Sequence, residues 1–263
     1  MELGFIGCGN MAQAMIAGIL DHNVMPKEAL AASGPTPSKM EKAKEKFGIM
    51  TTTNNREAAK AEIVVLSVKP QMYHEVIHEI RDDISKSQLI VTIAAGVTMA
   101  QVERQFGKEV KIIRVMPNTP ALVGEGMTAA CVNRYVTEEE KEYALKILRS
   151  FGKVELVPES MIDAVVAVSG SSPAYVFMFI EAMADAAVAE GMPRPMAYQF
   201  AAQAVYGSAK MVLETGKHPG ELKDMVCSPA GTTIEAVRVL EEKGFRSAVI
   251  EAMKSCADVS RNL

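Results

Sequence analysis

Gly7-Cys8-Gly9-Asn10-Met11-Ala12 is the first stretch whose residue types and spacing point to chemistry. It follows Leu3-Gly4-Phe5-Ile6, an apolar run of strand length, and opens into an apolar, Ala-rich run from Met11 to Leu20. Strand, Gly-x-Gly-x-x-Ala and helix are the parts of a dinucleotide-binding turn. Gly7 permits the tight turn, Gly9 lets backbone approach a pyrophosphate, and Ala12 lets the helix pack close to the strand. The unpaired N–H groups of such a helix start would face the phosphates. Ile6, Gly7, Cys8, Gly9, Asn10 and Met11 are therefore candidate cofactor residues.

The end of the second strand decides which dinucleotide. An acidic residue there normally holds the ribose 2′-hydroxyl of NAD. Leu30-Ala31-Ala32-Ser33 reads as that strand, and it ends on Ser33, then Gly34, Pro35 and Thr36, with no carboxylate before Glu41. Without that negative charge a 2′-phosphate is tolerated. The Ser33 and Thr36 hydroxyls, the loop around Pro35, and Lys39 and Lys42 supply donors and positive charge. NADPH is the expected cofactor. No Arg follows the strand directly, so NADH remains a usable alternative. Further strand-end loops are expected to line the same cofactor: Ser67-Val68-Lys69-Pro70 and Ile93-Ala94-Ala95, with Asn55 reaching towards the adenosine ribose.

Three clusters of hydroxyl, Gly and Pro residues remain: Met116-Pro117-Asn118-Thr119-Pro120, Ser169-Gly170-Ser171-Ser172-Pro173-Ala174-Tyr175 and Ser228-Pro229-Ala230-Gly231-Thr232-Thr233-Ile234. Each taken singly reads as a turn with a helix cap. Beside a nucleotide-binding half they form a candidate site.

The elements that must position these residues fall into two halves. Up to residue 158, strand-like runs at Ile63 to Val68, Leu89 to Ile93, Val110 to Val115, Met127 to Val132 and Lys153 to Val157 alternate with helical patterns. That alternation predicts a mainly parallel sheet covered on both faces, an α/β Rossmann-type domain over residues 1–158. From Glu159 onward no strand pattern appears. Helical patterns run to the end, punctuated by Gly191, Gly216 and Gly244, which predicts an all-α domain over residues 159–263. Its long Ala- and Met-rich helix, Ser172 to Glu190, is apolar over most of its circumference, and burial against a second copy of the chain is expected.

Composition limits the remaining classes. Of 263 residues 49% are hydrophobic and 23% charged, as in a soluble globular protein. The net charge of -4 offers no basic field for nucleic acid or an anionic membrane. No apolar segment of membrane-spanning length is read in the sequence, and no basic n-region or cleavage site opens it, so a cytoplasmic location is expected. Cys8, Cys131, Cys227 and Cys256 are scattered and read as free thiols, and with His22, His74, His78 and His218 they form no metal-ligand pattern.

The chain as a whole resembles the pyrroline-5-carboxylate reductase family. The likeness rests on the opening turn from Phe5 to Ala12, Val68-Lys69-Pro70, Ala94-Ala95-Gly96-Val97-Thr98 and the three clusters. It also includes His218-Pro219-Gly220-Glu221-Leu222-Lys223-Asp224 and Gly244-Phe245-Arg246. The resemblance implies reduction of 1-pyrroline-5-carboxylate to L-proline by NAD(P)H, the last step of proline biosynthesis. It implies a helical domain that interlocks with its twin, dimers that assemble further into decamers, and an active site at the dimer interface. Thr233 matches the threonine placed near the ring nitrogen and is the expected catalytic residue. Ser228, Gly231, Thr232 and Thr233 are expected on the substrate side, with Glu159 near the bound amino acid, where a capping role is the competing reading. The helix start at Ala230-Gly231-Thr232-Thr233 suits the substrate carboxylate.

The pattern departs at Ala230 and Ser172, where Gly is common, and Val226 before Cys227 differs from some relatives. Neither of the first two removes a hydroxyl or a backbone donor, while Val226 leaves the nicotinamide surroundings open. A β-hydroxyacid dehydrogenase would share the opening turn, but it needs a lysine after its Ser-Gly motif, and none lies between Pro173 and Lys210. A non-catalytic NADP-binding paralogue is the other rival, against which every motif above is intact.

Overall fold

The computed structural model describes residues 1–262. Two compact units divide the chain: Met1–Ser171 together with Cys256–Leu263, and Ser172–Ser255.

The first unit is built on an eight-stranded sheet. In chain order its elements are β1 (Leu3–Ile6), α1 (Asn10–Asp21), β2 (Leu30–Ser33), α2 (Pro37–Phe47), β3 (Met50–Thr52), α3 (Asn55–Ala58) and β4 (Ile63–Leu66). They continue with α4 (Tyr73–Ile80), β5 (Leu89–Thr92), α5 (Met99–Phe106), β6 (Lys111–Met116), β7 (Gly126–Val132), α6 (Glu138–Leu148), β8 (Gly152–Leu156) and α7 (Ile162–Val165). The strand order is β3-β2-β1-β4-β5-β6-β7-β8. All neighbouring pairs are parallel except β6 with β7. The order reverses at β1, which puts a crevice at the carboxyl ends of β1 and β4, where open α/β sheets bind ligands.

Strand residues alternate between two cores, as a sheet covered on both faces requires. Leu3, Phe5, Val65, Val91 and Val115 pack with Met15, Ile16 and Ile19 of α1 and with α6. Ile6, Val64, Leu66, Ile90 and Ile112 pack against α4, α5 and Ala58 of α3. The strand β3 was not expected from the sequence. Met50, Thr51 and Thr52 are only partly covered at the sheet edge, so neither alternation nor an apolar run marks them.

Past β8 the chain stays with the first unit for longer than the change in sequence texture at residue 158 implies. Ile162 is fully covered and packs with Met116, Ala129 and Cys131. Ser260 near the chain end donates to Asp163 at 2.6 Å. Val166–Gly170 is a π-helical turn, and the separate helical unit begins only at Ser172.

The second unit comprises α8 (Ser172–Ala189), α9 (Arg194–Thr215), α10 (Pro219–Val226), α11 (Thr232–Glu242) and the start of α12 (Phe245–Arg261). Left-handed glycines at Gly216 and Gly244 follow α9 and α11 as the sequence predicts, and proline stands at the starts of α9 and α10. This unit lacks a core of its own size. Phe177, Met178, Phe200 and Leu213 are 63%, 68%, 64% and 67% exposed, while Ala184, Ala197, Ala201 and Leu222 are covered.

The helical run Glu159–Ala189 spans 31 residues and contains a window of mean hydropathy 1.4, long and apolar enough to cross a membrane by length and composition. Polar Ser169 to Pro173 interrupts it, so it is not an uninterrupted apolar segment of the kind the sequence lacks.

Candidate active site

The ends of β1, β2 and β4 are tied together at the crevice. Gly7 N donates to Ser33 O at 3.0 Å, and Ser67 Oγ donates to Gly7 O at 2.7 Å. Gly7 has φ +97, and a Cβ there would stand 2.7 Å from the Ser67 carbonyl oxygen. The opening glycine is required by this close approach as well as by its backbone angle. Ala12, fully covered, lets α1 lie against the sheet.

Gly9 is the N-cap of α1. No side chain caps the helix, and no acidic residue occupies its first turn. A Cβ on Gly9 would meet nothing within 4 Å. Open space beside unpaired N–H groups suits an anionic phosphate, and the residues from Ile6 to Met11 fit the dinucleotide the sequence implies. Cys8 within this turn is a free thiol, and burial raises its pKa.

At the β2 end the structure is more specific than the sequence. Ser33 is fully buried, and its hydroxyl donates to Asn55 Oδ1 at 2.8 Å. Asn55 Nδ2 donates in turn to Glu79 Oε2 at 2.7 Å. Both side chains expected at the adenosine ribose are therefore engaged with each other. Thr36, the N-cap of α2, has no side-chain hydrogen bond to the helix and stands partly exposed beside Pro35.

The β4 and β5 exits are joined from behind. Tyr73 Oη reaches Leu66 O at 2.8 Å and Thr92 Oγ1 at 2.9 Å. Ser67-Val68-Lys69-Pro70 and Ile93-Ala94-Ala95 thus leave the sheet from anchored positions, with Lys69 exposed and Ala94 buried. Tyr73 carried no sequence signal beyond its place on an apolar helix face.

Glu159 has a defined structural task. Its Oε1 accepts from Met99 N at 2.8 Å, at the start of α5, and from Arg114 Nη1 at 2.9 Å. The Arg114 side chain is 5% exposed, and its Nε has no hydrogen-bond partner among the described residues. A cavity of about 310 Å³ beside this pair is lined by Gly96, Thr98, Arg114, Glu159, Asp163 and Ser260, among others. The sequence reading missed Arg114, although one cationic residue inside the buried run Lys111–Met116 was a visible signal.

Two of the three polar clusters meet. Asn118 Nδ2 donates to Ser169 O at 3.1 Å, while Asn118 Oδ1 accepts from Met127 N at 2.8 Å. Ser169 lies in the π-helical turn, a distortion common at functional sites. The third cluster belongs to the helical unit. There Gly231 is the N-cap of α11, with no side-chain cap, so the first-turn N–H groups at Thr232 and Thr233 are free of such a partner. A Cβ on Gly231 would stand 2.4 Å from Ser228 Oγ, and Ala230 adopts φ 56. Thr233 is partly exposed.

A mainly parallel sheet whose first strand ends in a glycine turn before an uncapped helix, together with a helical second unit, is the architecture of nicotinamide-dinucleotide-dependent oxidoreductases. Residues 2–96 match the family described as NADP oxidoreductase, coenzyme F420-dependent, and residues 159–263 match pyrroline-5-carboxylate reductase dimerisation. The chain is 56% identical to pyrroline-5-carboxylate reductase of Escherichia coli (strain K12), over 100% of this chain and 98% of that protein. It is 39% identical to that of Arabidopsis thaliana, over 100% and 95%. Among solved structures, pyrroline carboxylate reductase of Plasmodium falciparum with NADP bound matches at TM-score 0.91 and 34% identity, covering 100% and 97%. The Coxiella burnetii pyrroline-5-carboxylate reductase matches at TM-score 0.91 and 36% identity, covering 99% and 97%. The chain belongs to the pyrroline-5-carboxylate reductase family.

Proposed function

We propose that this protein reduces 1-pyrroline-5-carboxylate to L-proline, the last step of proline biosynthesis, with NADPH as preferred hydride donor and NADH as a weaker one. The observation that carries the reading is the full-length identity of 56% to a reductase of that name. When bound, the cofactor supplies the hydride.

The chain's own residues bind and orient. The α1 terminus from Gly7 to Met11 takes the pyrophosphate through backbone N–H groups. The edge formed by Ser33, Pro35 and Asn55, with Thr36 and Lys39 beside it, takes the adenosine ribose and its phosphate. Ser67 to Pro70 and Ile93 to Ala95 line the remaining length. The α11 terminus at Gly231, Thr232 and Thr233, with Ser228, takes the substrate carboxylate, and the Thr233 hydroxyl bonds the ring nitrogen. A protonated imine accepts hydride readily, because its positive charge is neutralised as the C–H bond forms. That proton arrives with the substrate, so alignment of two reactants is the main contribution of the protein. Glu159 is read as a residue near the bound amino acid that acts through Arg114 and the start of α5.

A dimer is the proposed working unit, formed through the uncovered apolar faces of α8 and α9, with a decamer built of five dimers as the larger assembly. The apolar run Glu159–Ala189 is then an interface helix in a cytoplasmic enzyme. Purified protein with NADPH and pyrroline-5-carboxylate should lose nicotinamide absorbance and yield proline. Absence of turnover with both NADPH and NADH would sink the reading.

A further inference from the structure

We infer that Glu79 is a specificity-determining residue that holds back the preference for NADPH over NADH, acting through Asn55. This rests on the dinucleotide site proposed above.

The acidic residue that usually ends β2 is absent here, and its place is taken by Ser33. A carboxylate nevertheless reaches that corner from a different element. Ser33 Oγ donates to Asn55 Oδ1 at 2.8 Å, and Asn55 Nδ2 donates to Glu79 Oε2 at 2.7 Å. The chain runs from the strand end through the first residue of α3 to α4. It also fixes the Asn55 amide. A carboxylate only accepts, so the NH2 end must face Glu79 and the oxygen must face the serine hydroxyl.

Two consequences follow at the ribose. One of the two N–H donors of Asn55 Nδ2 is taken by the Glu79 carboxylate, which leaves a single amide donor for a 2′-phosphate. A formal negative charge stands one side chain behind the β2 end, where the 2′ substituent of the adenosine ribose is held. A 2′-hydroxyl is indifferent to that charge, whereas a 2′-phosphate is repelled. Lys39 and Lys42 lie on α2, the helix that follows β2, and carry the opposite charge. Arg56, the nearest cation in sequence to Asn55, is 3.5 Å from Asp83. The corner therefore carries charges of both signs, and its preference is set by their difference.

Glu79→Gln isolates the effect, because the Gln carbonyl oxygen still accepts from Asn55 while the charge is gone. Affinities for NADP+ and NAD+ are measured by calorimetry on the wild type and the variant, with kcat/KM for NADPH and NADH beside them. The NADP+/NAD+ affinity ratio should rise roughly 3- to 10-fold, as expected for removing one unit charge from a half-exposed site. The rise should shrink in high salt. Because both affinities come from one sample, a partly unfolded fraction cancels in the ratio. A ratio that stays level or falls overturns the inference. Wild type that binds both dinucleotides but turns over neither would refute the proposed reaction and leave this ratio as a valid test. Wild type that binds neither dinucleotide would refute both.

Discussion

The Tyr73 hydroxyl donates to the Leu66 carbonyl oxygen at 2.8 Å, across the back of the crevice. Its single proton is committed there, so Thr92 Oγ1, 2.9 Å away, must be the donor in the second bond. One buried phenol thereby links the last residues of β4 and β5, immediately before the two loops assigned to the cofactor.

Tyr73→Phe keeps the ring packing and removes the link. Two buried polar groups lose their partner, so the folded state should lose about 1–3 kcal/mol, read from denaturant unfolding. The NADPH KM should rise more than kcat falls, because the loops lose their spacing while the hydride step is not touched. Burial, opposed by the Thr92 bond, pushes the Tyr73 pKa up to about 12 from 10.0. The folded form therefore holds its proton more tightly than the unfolded chain. Its contribution is complete below pH 10 and declines between pH 10 and 12. Alkaline destabilisation over that range should be weaker in the Phe variant. Equal alkaline behaviour of the two proteins would contradict the burial argument.

Glu159 answers the buried Arg114 charge and the free N–H of Met99. Removing one member of such a pair strands the other. For Glu159→Ala a loss of about 2–3 kcal/mol is expected, below the value for a fully buried pair because the Glu159 side chain is 30% exposed. Arg114→Met should cost less than Glu159→Ala, since it leaves no uncompensated guanidinium. If Glu159→Ala instead raises the substrate KM with no change in stability, the carboxylate contacts substrate directly.

Gly7→Ala tests the junction of β1 and β4. The added Cβ would stand 2.7 Å from the Ser67 carbonyl oxygen, at a φ of +97. A shift of the turn is unavoidable, and NADPH affinity should fall at least 10-fold by calorimetry. Gly9→Ala meets no protein atom within 4 Å. Any loss of affinity there would report contact with the dinucleotide itself.

Thr233→Ala should lower kcat while the NADPH dissociation constant stays near its wild-type value. The expected loss is about 10- to 100-fold, the scale of one hydrogen bond to a developing charge. Collapse of cofactor affinity in this variant would show that Thr233 had been placed wrongly.

Phe177 and Phe200 stand 63% and 64% exposed on α8 and α9. Replacing both with Asp should leave the first unit folded and abolish the dimer, as read by sedimentation. Activity should fall with it. A variant that remains dimeric would exclude these faces as the interface.

Much of the candidate site is legible in linear order, because each part is a local solution to a local problem. Gly7, Gly9 and Ala12 are spaced by the requirements of one turn and one helix start. The uncapped terminus at Gly231 and Thr232 is equally local. The helices of the second unit are readable from the glycine punctuation at Gly191, Gly216 and Gly244. Strand β3 was not legible, since three half-covered edge residues carry no periodic signal.

What the sequence by itself determined is the kind of protein: a mainly parallel sheet with a Gly-x-Gly-x-x-Ala turn after its first strand, a helical half, and a β2 end without an acid. Those follow from spacing, because short-range geometry repeats wherever the same residues recur. What only the tertiary structure decided is which distant side chains speak to one another. Glu79 reaches Asn55 across 24 positions, Glu159 reaches Arg114 across 45, and Ser260 reaches Asp163 across 97. No local rule encodes those pairings. They arise because sheet order and helix packing bring remote residues to the same corner, where burial makes an unpaired polar group costly and so selects the partner.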